Sequence, residues 1–168
     1  IEYRTLLEYL NTRIAEMDRE IEGISETKPY AEQVKRLKVL RGMGVLSSMI
    51  LITEIIDFKR FPNPKSLMGF LGLTPSEYSS SGIQKYGGIT KAGNSACRKI
   101  LVECVQHYKK KPKPTITLTN KWKDQPAERV QLALKCMQRL HKRYWALEKR
   151  KPKNVATTAI AREFVGFI

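Results

Sequence analysis

Three consecutive serines, Ser79, Ser80 and Ser81, stand inside a long polar stretch, GLTPSEYSSSGIQKYGGITKAGNSACR, that runs from Gly72 to Arg98. Gly82, Gly87, Gly88 and Gly93 follow them, interleaved with Lys85, Lys91 and Arg98. A serine hydroxyl becomes an oxygen nucleophile when a base, a metal or a charged substrate activates it. Cations beside it suit a phosphate, and glycine lets backbone approach a bulky ligand. Glu77 is the one carboxylate in the stretch and its only candidate base. Serine and glycine are also ordinary turn residues, so a solvated surface loop is the plain alternative.

The flanking segments that must position this loop are helical. Upstream, Asn63 reads as an N-cap with Pro64 as first helical residue, and the short helix should stop at Gly72. Downstream, Asn94 should cap a helix from Ser95 to about Tyr108, with Ile100, Leu101, Cys104, Val105 and Tyr108 on a buried stripe. Arg98 falls in the first turn of that helix, where a cation opposes the helix dipole, so it is expected to serve an anion. His107 is expected to cap carbonyls at the other end.

Further upstream, Leu40-Arg41-Gly42-Met43-Gly44-Val45 makes a tight glycine turn into an apolar helix. It resembles a helix-hairpin-helix element, whose free amides at a helix start favour phosphate. Glu54 and Asp57 follow three residues apart; the simplest reading pairs Glu54 with a cation and has Asp57 ending the helix.

The N-terminal segment carries Leu7, Leu10, Ile14, Met17, Ile21 and Ile24 in alternating steps of three and four, a short heptad repeat. Either a coiled coil with a second chain or an amphipathic helix packed on its own chain accounts for it. Gly23 and Ser25 to Pro29 should end that helix, and a second should start near Pro29 with Tyr30, Val34 and Leu37 on one face.

Beyond the loop, Lys109-Lys110-Lys111-Pro112-Lys113-Pro114 is a basic break that should be mobile, and Lys109, Lys110, Lys111 and Lys113 suit a phosphate backbone. Trp122, Tyr144 and Trp145 are expected as core or partner-helix anchors. A long helix should run from Ala127 to Lys149 with Val130, Leu134, Met137, Leu140 and Leu147 inward, and a last one from Val155 to Ile168, capped by Asn154. No alternating strand pattern occurs. The expected fold is all-α: a helical, coiled-coil-like arm over residues 1–38, then a compact helical domain over 39–168 with the helix-hairpin-helix-like turn and the long Ser/Gly loop.

Charge narrows the class of partner. The 168-residue chain has a formal net charge of +15 and a sequence pI of about 9.9, which points to nucleic acid. Residues 1–57 hold 8 Lys+Arg against 10 Asp+Glu, whereas residues 58–168 hold 23 against 6. The basic part thus begins where the Ser/Gly region begins. Cys97, Cys104 and Cys136 form no C-x-x-C pair, so zinc is not expected. Their odd number, without a leader segment, fits a reducing cytoplasm, and the apolar run from Val45 to Ile56 is too short and polar for a membrane span. The start at Ile1 inside a helical pattern suggests a piece of a larger protein.

Several separated motifs carry a resemblance to a known family. GLTPSEYSS, then GGITKAGN, then Arg98, with LRGMGVLSSMILITEIIDFKRFPNPKSLMGFLGLTP before and NVATTAIAREFVGFI after, are similar to the C-terminal domain of bacterial insertion-sequence transposases of the DEDD/serine, bridge-RNA-guided type. The resemblance implies a nucleophilic serine that forms a phosphoserine link to DNA during strand cleavage and exchange. It also implies an N-terminal RuvC-like DEDD domain carrying Mg²⁺, with no cofactor in this chain and no cleavage from this chain alone. The implied partners are DNA, a guide (bridge) RNA and a second protomer, with no membrane. The family pattern reads Ser-Ser-Gly-Gly or Ser-Ser-Gly-Glu with the nucleophile before the first Gly. Counting back from Gly87-Gly88 selects Ser80; counting from Gly82 selects Ser81. Lys85, Lys91 and Arg98 match basic positions of the family. The alternative is a non-catalytic DNA- or RNA-binding and dimerisation module whose serines only hydrogen-bond phosphate.

Overall fold

The segment VLSSMILITEI is apolar around most of its circumference, so a helix formed by it must be surrounded. In the computed structural model, which describes residues 2–79 and 85–168, it is α3 (Val45–Ile55), with Leu51 and Ile55 fully buried. Against it pack the end of α1 (Glu2–Ser25), α2 (Tyr30–Lys38) and α5 (Ser95–Val105). Val34 and Leu37 of α2 join the core, as their spacing predicts. α7 (Ala127–Glu148) and α8 (Lys153–Phe164) pack on each other, and α8 also covers α5. The short α4 (Pro64–Phe70) and α6 (Ile116–Trp122) complete an all-α fold. Trp122 is buried and gives its Nε1 proton to the Val39 carbonyl at 2.9 Å, so it is the core anchor its type suggests.

The heptad helix divides its apolar stripe between the two readings. Ile21 packs on the core, but Leu7, Leu10, Ile14 and Met17 are about half exposed, at 59, 47, 57 and 55%. α1 does not stop at Gly23; it continues to Ser25, whose Oγ donates to the Glu22 carbonyl at 2.7 Å.

Three boundaries differ from expectation. α5 ends at Val105 and tightens into a 3-10 turn over Gln106–Lys109. The last α-helix starts at Lys153, after Pro152, and Asn154 accepts from its neighbour Val155 instead of capping the helix. Pro152 (φ −54°, ψ 146°) has its φ preset at the entry, which moves the start forward. That helix also gives way to a 3-10 turn at Val165–Phe167. On α7 the fully buried positions are Ala133, Cys136, Met137, Leu140 and Tyr144, with Val130, Leu134 and Leu147 only partly covered. The core face includes the small residues Ala133 and Cys136, and the Cys136 thiol meets the Tyr108 hydroxyl at 3.5 Å.

Candidate functional site

The Ser/Gly stretch is not an irregular loop throughout. β1 (Pro75–Glu77) pairs antiparallel with β2 (Tyr86–Ile89), with Pro75 opposite Ile89 and Glu77 opposite Tyr86. Further bonds extend the ladder both ways: the Lys91 N–H to the Gly72 carbonyl (3.1 Å), Thr90 to Thr74 (2.9 Å) and Tyr78 to Lys85 (2.8 Å). The sequence hides these strands because glycines 87 and 88 replace the alternating side chains that normally reveal one. Ser80 and Ser81, the two candidate nucleophiles, lie outside the described residues. Ser79 is described, and its hydroxyl donates to the Glu77 carboxylate. Tyr78 and Tyr86 flank the tip, exposed at 73 and 61%. The sequence alone did not single out these tyrosines; the register sets Tyr86 opposite Glu77, and the Tyr78 ring lies beside Gly87.

The base of the hairpin is locked. The Gly93 backbone passes so close to the Phe70 carbonyl that a Cβ at Gly93 would overlap it. Arg98 Nη1 donates to the Gly93 carbonyl at 2.6 Å and to the Leu71 carbonyl at 3.2 Å, bridging the two ends of the hairpin. Asn94 caps α5 by accepting from the Cys97 N–H (3.1 Å), as expected, and its Nδ2 donates to Glu54 Oε2 at 2.6 Å. Glu54 therefore meets an amide of the hairpin base where a cation was expected, and Asp57 accepts from the Lys59 N–H to open the 3-10 turn Phe58–Arg60. Among the described residues no group of three or more His, Cys, Asp and Glu is placed to hold a metal ion. Burial lifts the Cys97 thiol to about 11, with Glu54 adding to the effect and Arg98 opposing it.

Lys85 and Lys91 are exposed on the hairpin. Lys91 has φ +56°, a left-handed conformation costly for a residue with a Cβ and a form of strain that clusters at functional sites. Next to the hairpin base, Arg60 lies over the adjoining rings of Phe61 and Phe70, its guanidinium 4.8 and 4.6 Å from ring centres that are 5.3 Å apart. Such stacking holds the cation in place and leaves its N–H fork open. Arg60 is a residue the sequence alone did not single out, since Phe70 comes ten positions later.

The remaining lysines form a separate group. α5 places about 16 Å of helix, at 1.5 Å per residue, between the hairpin base and the basic break. That break is not a free run. Arg41 Nη1 holds the Lys111 carbonyl (2.9 Å), Trp145 Nε1 holds the Lys109 carbonyl (3.2 Å), and Lys109 Nζ lies 5.1 Å from the centre of the Tyr144 ring. Lys110, Lys111 and Lys113 take no side-chain partner among the described residues. The structure thus puts Lys91 and Arg98 at the hairpin base by one end of α5, Lys85 at the far end of the hairpin ladder, and Lys109, Lys110, Lys111 and Lys113 at the other end of α5.

Residues 34–118 match the family model described as transposase IS116/IS110/IS902 family, a span that takes in the hairpin, Arg98 and the basic break. The transposase-named protein y4qE of Sinorhizobium fredii is 38% identical over 149 residues, covering 86% of this chain and 38% of that protein. The transposase for insertion sequence element IS1533 of Leptospira borgpetersenii is 32% identical over 139 residues, 82% of this chain and 40% of its own length. The transposase for insertion sequence element IS1328 of Yersinia enterocolitica is 30% identical over 100 residues, 60% and 29% respectively. The chain spans less than half the length of these relatives.

Proposed function

The chain belongs to the IS116/IS110/IS902 family of insertion-sequence transposases, and on that premise we propose that it is the serine-bearing C-terminal part of a DNA transposase. The observation that carries this reading is the hairpin: its strands bring Ser79 and the exposed Lys85 to the end away from a base locked by Arg98, Asn94 and Glu54.

In the reaction, the hydroxyl of Ser80, or of Ser81, attacks the phosphorus of a DNA phosphodiester. The Oγ–P bond forms, the P–O bond to the leaving sugar breaks, the serine loses its proton and the leaving oxygen gains one. Lys85, across the ladder from Tyr78, is assigned to neutralising the phosphoryl oxygens, and Lys91, paired with Gly72 at the hairpin base, to a neighbouring part of the backbone. Arg98 holds the hairpin base through its carbonyl contacts, so it acts by positioning. Glu77, which accepts from Ser79, places a carboxylate beside the serine run. A DEDD domain elsewhere in the protein, carrying Mg²⁺, would supply Lewis-acid activation. Guide RNA and a second protomer are further proposed partners, the latter along the exposed face of α1.

The test is strand cleavage of DNA by the full-length protein. Ser80→Ala is expected to abolish cleavage and leave DNA binding within about twofold, since it removes one neutral hydroxyl from a charged surface; Ser79→Ala keeps cleavage. Cleavage lost only in Ser81→Ala moves the nucleophile by one residue. Cleavage that survives all three substitutions favours the non-catalytic binding module.

A further inference from the structure

At the end of α5 away from the hairpin, a cavity of about 320 Å³ opens between the Arg41–Gly44 turn, the 3-10 turn after α5, and α6. Arg41, His107, Lys110 and Lys121 line it, and no carboxylate does among the described residues. Arg41 is nine-tenths buried, and Lys121 is half-buried with its Nζ donating to the Met43 carbonyl at 3.1 Å. Gly42 (φ +87°) makes this convergence feasible: its backbone lies against the Cys104 carbonyl, where a Cβ would overlap, so the turn sits tight on α5 and Arg41 comes up to His107. Like charges gathered at a half-enclosed site repel one another unless an anion joins them.

We propose that this cavity seats one phosphate group of a nucleic-acid backbone, bound by Lys110, Lys121 and His107. The proposal rests on the nucleic-acid reading above and assigns that binding to a specific place. The donors are side chains. The turn's own amides are largely engaged: the Gly44 N–H goes to Ser47 Oγ (2.8 Å) and the Met43 N–H to the Leu40 carbonyl (3.1 Å). This differs from the amide-bound phosphate that the glycine turn suggested in the sequence.

His107 reports on occupancy. Burial first, and then Lys110, Arg41 and Lys121, hold its imidazole below the ordinary histidine value; Lys121 is likewise lowered, by burial and then by Lys38. The acidic groups near His107 are Glu103, one turn earlier on α5, and Asp18 and Glu22 of α1, across the adjoining groove. A phosphate in the cavity adds negative charge on the basic side and favours the imidazolium.

The experiment is an NMR titration of the His107 ring in this chain with three probes: inorganic phosphate, a short duplex DNA and an RNA hairpin. The expected result is a roughly tenfold rise in the proton affinity of His107, about one pH unit, with DNA or RNA. The responding polymer identifies the source of the phosphate. In Lys110→Gln/Lys121→Gln the response is lost, and the slope of log affinity against log salt falls by about 1. Lys110→Gln alone, an exposed side chain with no partner among the described residues, keeps the test readable if the double variant does not fold. Nucleic acid that binds without moving His107 or changing that slope overturns the cavity assignment and leaves the broader reading standing. A response to inorganic phosphate alone overturns the backbone assignment, and binding of no probe removes both readings.

Discussion

Replacing Arg98 with alanine separates two roles for one guanidinium. The sequence placed Arg98 as an anion ligand, because a cation in the first turn of a helix opposes the dipole. The structure engages its Nη1 with the Gly93 and Leu71 carbonyls at 2.6 and 3.2 Å. Hydrogen bonds from a charged donor contribute about 1.5–3 kcal/mol each. Arg98 is half-buried, so the lower end applies and the two bonds give about 3 kcal/mol. Removing the cation from the α5 N-terminus returns up to about 1 kcal/mol of dipole repulsion. The net loss expected in Arg98→Ala is therefore about 2 kcal/mol, and for a chain of this size the melting temperature falls by about 4–8 °C. Scanning calorimetry measures it, with Lys99→Ala as the control: the neighbouring exposed cation, removed without loss of these carbonyl contacts. Lys99→Ala should change stability by less than about 0.5 kcal/mol. If Arg98→Ala melts within a degree or so of the parent while losing far more nucleic-acid affinity than Lys99→Ala, the structural role is wrong and the guanidinium serves the ligand.

Lys91→Gly relieves a left-handed residue worth about 1 kcal/mol, partly offset by the freer unfolded chain, so urea unfolding should show a gain of about 0.5 kcal/mol; a loss would mean that the Lys91 side chain supports the hairpin. Ile14→Asp puts a charge on the exposed stripe of α1 and should convert a dimer to a monomer in light scattering; a parent chain that is already monomeric at high concentration refutes pairing through that helix. Burial lifts the thiols of Cys97 and Cys104 to about 11 and that of Cys136 to about 12. Folding therefore favours their protonated forms: the stability they confer is complete below the unfolded thiol value near pH 9 and is lost as pH rises through about 11–12. Native protein should resist a thiol reagent at pH 7 and lose stability progressively above about pH 9; rapid native labelling or a flat alkaline profile contradicts that burial.

The parts of this fold legible in the sequence are those where one local rule dominates. Asn63 before Pro64 and Asn94 before Ser95 accept from helix N–H groups as capping chemistry requires. Val34 and Leu37 on α2 and the apolar α3 follow from periodicity alone. What was not legible depends on contacts between distant residues. The hairpin strands lack alternation because Gly87 and Gly88 occupy β2, and only the ladder from Gly72 to Lys91 reveals them. Arg98 reads as an anion ligand until the Leu71 carbonyl, 27 residues earlier, arrives beside it. The cation cluster around His107 joins three segments separated by up to eighty residues, and no spacing rule brings Arg41 to Lys121. The basic break reads as mobile until Arg41 and Trp145 are seen to hold its carbonyls.

The central claim is that a serine of the run Ser79 to Ser81 becomes bonded to DNA. The most direct measurement is to incubate the full-length transposase with DNA, trap the covalent complex, digest both components and locate the modified residue by tandem mass spectrometry. The account predicts a nucleotide remnant on the peptide containing Ser79 to Ser81, carried by Ser80 or Ser81. A covalent adduct on any residue outside the hairpin, or one that persists when all three serines are alanine, would contradict it.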